Sequence, residues 1–148
     1  MLTSLNKVAR TVPLLLPLSL WAAPVLAEDV VAQPGVSIEL SAAEARDNGC
    51  LLSFLAQNSH ETDISSAIYE TVLFGPEGGV SLLTLLDFQD LPAGRPRVRQ
   101  FRFDDITCDQ IGRILINGAE TCETSDGPSD ACMTGLTLNS RLKTEMIG

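Results

Sequence analysis

Two apolar runs joined by five turn residues constrain this chain more than any other feature. Ile64–Phe74 and Val80–Phe88 are connected by Gly75, Pro76, Glu77, Gly78 and Gly79. Proline presets φ and glycine tolerates positive φ, so the joint reverses the chain and the runs form an antiparallel hairpin. Side chains alternate across a strand. Ile64, Ile68, Val72 and Phe74 therefore share one face of the first run, against Ala67, Tyr69, Thr71 and Leu73 on the other. In the second run Val80, Leu82, Leu86 and Phe88 share a face, with Leu83 and Leu85 opposed. Neither strand has a clean polar side. A hairpin apolar on both faces needs cover on both. One face packs on a second sheet. The other must be covered by the chain's own segments, by a second copy or by a partner.

The remaining pattern is also strand-like. Val36, Ile38 and Leu40 alternate with Ser37, Glu39 and Ser41, giving a half-buried strand, and Ala42–Gly49 reads as polar turn. Cys50–Gln57 is apolar on both sides and suits a central strand; Asn58–Asp63 is a polar loop. After Leu91-Pro92-Ala93-Gly94 comes Arg97–Phe103, where Phe101 and Phe103 should face the core. Strict alternation then turns Arg99 inward. Either a bulge near Arg99-Gln100 or an edge position, with the arginine stem over the core rim, resolves the conflict. Asp104–Gln110 is an acidic loop, Ile111–Asn117 a short strand, and Leu136–Lys143 a last alternating strand. There is no long helical period. The expectation is all-β: a two-sheet antiparallel sandwich of seven or eight strands, with its core over about residues 36–142.

The first 27 residues read as a cleavable export signal. Lys7 and Arg10 precede the apolar run Thr11–Ala23, and Val25 and Ala27 form a small-residue cleavage box before Glu28. The run is too short for a spanning helix and holds prolines. Residues 28–148 then form a single domain, expected in the periplasm or outside the cell, with no integral span after cleavage. Lys plus Arg is 10 and Asp plus Glu 19, a net charge of −9. Removing Lys7 and Arg10 leaves 8 basic against 19 acidic residues, or −11. Such a chain has no general attraction for nucleic acid or an anionic membrane.

Cys50, Cys108, Cys122 and Cys132 all follow the signal. An even count in an oxidising compartment reads as two disulfides, and three pairings are possible. The loop between Cys122 and Cys132 is rich in turn residues and has no core of its own, which favours a local staple.

The layout resembles immunoglobulin-like and fibronectin-III-like sandwiches of secreted bacterial proteins. The matching pieces are the Asn58 loop after an apolar strand, the Leu73-Phe74-Gly75 approach to the hairpin, and Leu91-Pro92-Ala93-Gly94 before Val98–Phe103. The chain is also similar to small exported proteins of alphaproteobacteria, a resemblance that supplies no activity. It departs from true immunoglobulin domains in having no Trp after Cys50 and no mid-strand Cys. With strands in immunoglobulin order, the second and sixth run the same way. Cys50 opens the second and Cys108 precedes the sixth, so both lie at one end. This favours Cys50–Cys108 with Cys122–Cys132.

Candidate sites are sparse. His60, beside Ser59, Glu61 and Asp63, could serve a metal or a general base. Yet no H-x-H, H-E-x-x-H or G-x-S-x-G pattern supports zinc, copper or serine chemistry. Asp104, Asp105 and Asp109 form one acidic group, and Glu120, Glu123, Asp126 and Asp130 another, without a calcium-loop pattern. No metal or cofactor is expected, and the chain is not expected to be an enzyme. Arg95, Arg97, Arg99 and Arg102 are half of the basic residues after the signal. They are the candidate partner face, for an acidic protein or an anionic glycan; charged edge protection and internal ion pairing are the competing uses. The expected role is a non-catalytic binding or accessory module of the cell envelope. The alternatives are a self-associating structural protein (for example a homodimer) and, behind it, a small periplasmic enzyme or metal-binding protein.

Overall fold

A computed structural model describes residues 33–148. The expected export segment, 1–27, lies outside them. Nine strands form two facing sheets: β1 Val36–Arg46, β2 Gly49–Asn58, β3 Ile64–Phe74, β4 Val80–Leu91, β5 Arg97–Phe103, β6 Arg113–Thr124, β7 Gly127–Pro128, β8 Thr137–Ser140 and β9 Glu145–Ile147. The first sheet has the order β5-β2-β1-β8; the second runs β4-β3-β6-β7, with β9 also on β6. The expected all-β sandwich is therefore present, and its strand distribution is consistent with an immunoglobulin-like or fibronectin-III-type arrangement. Two short parallel pairings, β1 with β8 and β6 with β9, join the antiparallel ones. Among the described residues no helix is long and apolar enough to cross a membrane.

The core lies between the sheets. Ile38, Leu40, Leu52 and Phe54 from the first sheet meet Tyr69, Leu73, Phe88, Ile114 and Ile116 from the second, all of them buried. At its centre Phe88 stands edge-on to Phe54 and Tyr69, with ring centroids 5.8 and 5.4 Å apart. Such edge-to-face pairs place the positive ring rim against the negative ring face.

Both expected disulfides are present, Cys50–Cys108 and Cys122–Cys132. Cys50 opens β2, and Cys108 sits in a 3₁₀ turn, Cys108–Gln110, just before β6. The Cys122–Cys132 loop folds back onto the end of the core. Its Cys132 carbonyl accepts a 3.0 Å hydrogen bond from the buried Tyr69 hydroxyl. Burial pushes that hydroxyl's pKa far up, so it stays a donor.

Three boundaries differ from the sequence reading. The Ala42–Gly49 turn is mostly strand: β1 runs on to Arg46 because a bulge at Ser41 resets its pairing with β2. Only Asp47 and Asn48 turn, with Asp47 at φ 52°. The short strand at Ile111–Asn117 is really Arg113–Thr124, reaching past Cys122. The last alternating run, Leu136–Lys143, is strand only over Thr137–Ser140, and a further short strand that was not expected follows it. Thr137–Ser140 pairs with β1 on the first sheet, whereas Glu145–Ile147 crosses to β6 on the second.

Candidate functional site

The arginine strand lies at the edge of the first sheet, directly over the edge strand β4 of the second. Its pairing with β2 is unbroken from Cys50↔Phe103 to Ala56↔Arg97, so no bulge rotates Arg99 outward. Arg99 shares a face with Phe54, its cross-strand neighbour, and with Phe101 two residues along. The edge position resolves the conflict seen in the sequence: the stem lies over the aromatic rim and the head reaches across to β4.

The head contacts are specific. Arg99 Nε donates to the Phe88 carbonyl at 2.6 Å, and Nη2 donates to the Asp90 carbonyl at 3.0 Å and to Asp90 Oδ1 at 2.9 Å. Arg97 Nη2 donates to Asp90 Oδ2 at 2.8 Å. Two guanidinium groups thus hold one carboxylate and two edge carbonyls. The Arg97 hydrogen bond, backed by the charges of Arg97 and Arg99, holds the Asp90 pKa below its ordinary value. Arg102, on the outer face, pairs with Asp104 and Asp47 at 2.7 and 3.2 Å. Arg95, exposed before β5, has no ion-pair partner among the described residues. Three of the four arginines are therefore engaged within the chain. Arg97 and Arg99 close one side of the sandwich, Arg102 is held between Asp104 and Asp47 on the outer face, and Arg95 presents its charge to solvent.

The other candidates are dispersed. Ser59 exchanges hydrogen bonds with the backbone of Gly35. His60 Nε2 donates to the Ala131 carbonyl at 2.9 Å, which pins the ring on the stapled loop. Asp63 Oδ1 accepts from the Ala93 amide at 2.7 Å. Each member of a would-be Ser-His-Asp array is thus turned to a different backbone segment. Asp105 accepts from Asn48 Nδ2. The backbone carbonyl of Asp130 accepts from the Met133 and Thr134 amides. Among the described residues, no group of three or more His, Cys, Asp or Glu is placed to hold a metal ion.

An open apolar cleft of about 480 Å³ lies between β8 and β9, lined by Met133, Leu136, Leu138, Met146, Ile147 and Gly148. The sequence reading missed two things: Asp90 as the shared counter-ion of Arg97 and Arg99, and this cleft. The first had a signal, an acid at the far end of the preceding strand followed by alternate arginines. The second had none, because its walls join the alternating run Leu136–Lys143 to Met133 before it and Met146–Gly148 after it, residues that read as no element.

No protein-family model matches the sequence, and no curated protein matches it. Among solved structures, IrmA from Escherichia coli matches with a TM-score of 0.59 at 13% identity, over 72% of this chain and 92% of that chain. At that identity the likeness extends to the fold: this chain is similar to IrmA in its sandwich architecture.

Proposed function

We propose that this chain is an exported, non-catalytic binding or accessory module of the cell envelope. The observation that carries the reading is the closure of all four cysteines into two disulfides, Cys50–Cys108 and Cys122–Cys132. Paired cysteines throughout a small domain belong to an oxidising compartment. The export signal read in residues 1–27 leads to the same place. A binding role, in place of catalysis, is supported by Ser59, His60 and Asp63, which bond to three separate backbone segments and not to one another. The outward-facing charge of Arg95 is the part of the arginine strand proposed to meet an acidic protein or an anionic glycan.

Fractionation with mass analysis tests the address. The chain should be recovered outside the cytoplasm, starting at Glu28 and carrying no free thiol. Recovery from the cytoplasm with four thiols would overturn the reading. Capture from envelope extract tests the surface. The control is Arg95→Glu, because Arg97 and Arg99 hold the sandwich together. Capture unaffected by that reversal would remove Arg95 from the binding face.

A further inference from the structure

We infer that β4 pairs edge to edge with β4 of a second copy of this chain, antiparallel about a two-fold axis at Thr84. Four strands end the two sheets, and β9 adds a short flank. β7, β8 and β9 are two, four and three residues long. β5 carries Arg97, Arg99 and Arg102. Short length and charge are the usual protections of an exposed edge. β4 is twelve residues long and is protected over only part of its length. Toward Leu91, Arg99 occupies the Phe88 and Asp90 carbonyls, and Gln89, at φ 60°, marks a break in register. Near Val80 a second break leaves Ser81 without a partner on β3. Between these breaks Leu82–Leu86 pairs with β3 residue for residue, and among the described residues its other edge is unpaired.

That open segment reads Leu82-Leu83-Thr84-Leu85-Leu86, the same in both directions. A two-fold contact presents one surface to itself, so each residue must suit its symmetry mate. Antiparallel pairing about Thr84 sets Leu83 against Leu85 of the second copy, Leu82 against Leu86, and Thr84 against Thr84. Like side chains meet at every position, and Thr–Thr pairs are favourable across strands. Charge agrees with this register. The chain carries −9 overall, yet Val80–Leu86 has no charged residue, and Asp87 falls opposite Ser81 of the second copy, away from the other Asp87.

The outer face supplies the apolar area. Leu83 and Leu85 are 58% and 52% exposed, unusual values for leucines on a regular strand. Leu83, Val72, Leu115 and Ile147 form one row across β4, β3, β6 and β9. The two-fold pairing joins two such rows side by side and shields Leu83 and Leu85 on each copy. The arginine strand takes no part, so this inference is independent of the binding surface proposed above.

Light scattering after size exclusion tests it, on the full chain with disulfides intact. The wild type should form a concentration-dependent dimer. Leu83→Lys with Leu85→Lys should be folded by circular dichroism and monomeric, and so should Leu83→Glu with Leu85→Glu. Mixing the two variants should restore a dimer, because each lysine then faces a glutamate. A wild-type chain that stays monomeric would overturn the proposal, even if it takes up a strand from another protein. A dimer that survives the double lysine substitution, or charged variants that stay apart on mixing, would overturn it too.

Discussion

Arg99 reaches from one sheet to the other and binds Asp90 with Nη2 2.9 Å from Oδ1. The same guanidinium covers the Phe88 carbonyl, so one side chain satisfies acceptors that an edge strand would otherwise show to solvent. Arg99→Met keeps much of the stem and removes every one of these bonds. It should lower the unfolding free energy by about 1–3 kcal/mol, read from urea denaturation. Asp90→Asn should cost less, about 0.5 kcal/mol, because the carboxylate is half exposed and screened. Equal midpoints for Arg99→Met and wild type would show that the clamp contributes nothing to stability.

Acid should loosen the same side first. The Asp90 pKa is lower in the folded chain than in the unfolded one, by its hydrogen bond to Arg97 and the two guanidinium charges. The stability it contributes is present above the ordinary aspartate value and is lost as pH falls through the depressed folded one. As pH falls below the ordinary aspartate value, wild type should therefore lose stability more steeply than Asp90→Asn. Parallel curves of melting temperature against pH would contradict this.

The two disulfides should differ in what they protect. Their sequence separations are 58 and 10. Loop-closure entropy makes them worth about 4 and about 3 kcal/mol respectively. Cys122→Ala with Cys132→Ala should also free the loop that covers Tyr69, because the Tyr69 hydroxyl is bonded to Cys132. Limited proteolysis should then cut within residues 123–131 while the rest of the sandwich resists. The corresponding Cys50/Cys108 change should lower global stability without exposing that loop. Identical digestion of the two variants would rule out the distinction.

Gly35 and Gly135 pack backbone to backbone. A Cβ on Gly35 would lie 2.0 Å from the Gly135 carbonyl oxygen. A Cβ on Gly135, at φ 66°, would lie 2.4 Å from the Pro34 oxygen. Gly135→Ala should thus destabilise by more than about 2 kcal/mol, through clash and left-handed strain together. Gly118→Ala meets nothing within 4 Å and should be neutral or slightly stabilising. Thermal melts of the two variants side by side provide the check.

Much of the fold was legible where its cause was local. The Gly75–Gly79 turn sets the β3–β4 hairpin, and the order of strands at one end brought Cys50 to Cys108. Arg99 was legible as a conflict, an inward-facing charge beside Phe101, and an edge position answers such a conflict. The length of β1 was not, because the Ser41 bulge breaks a period-two pattern at its midpoint. Nor was the short strand β9 beyond the expected Leu136–Lys143. Leu136 and Leu138 alternate like a strand, but only partners on β1 and β6, far away in sequence, decide that it stops at Ser140 and that Glu145–Ile147 pairs on the other sheet. The arginines were read as a candidate partner face, because the acid they share lies on another sheet and the signal for it, an acid ending the preceding strand before alternate arginines, is not a strand period.

The placing of β8 and β9 on different sheets also has a consequence in time. Ser37 pairs with Thr137, and Ile114 with Met146, so each sheet waits for residues made after the rest of its strands. Contacts so distant along the chain form slowly. A ribosome or a translocation channel still holding residues 137–147 keeps both layers unfinished. Residues 137–147 are thus the latch of both sheets.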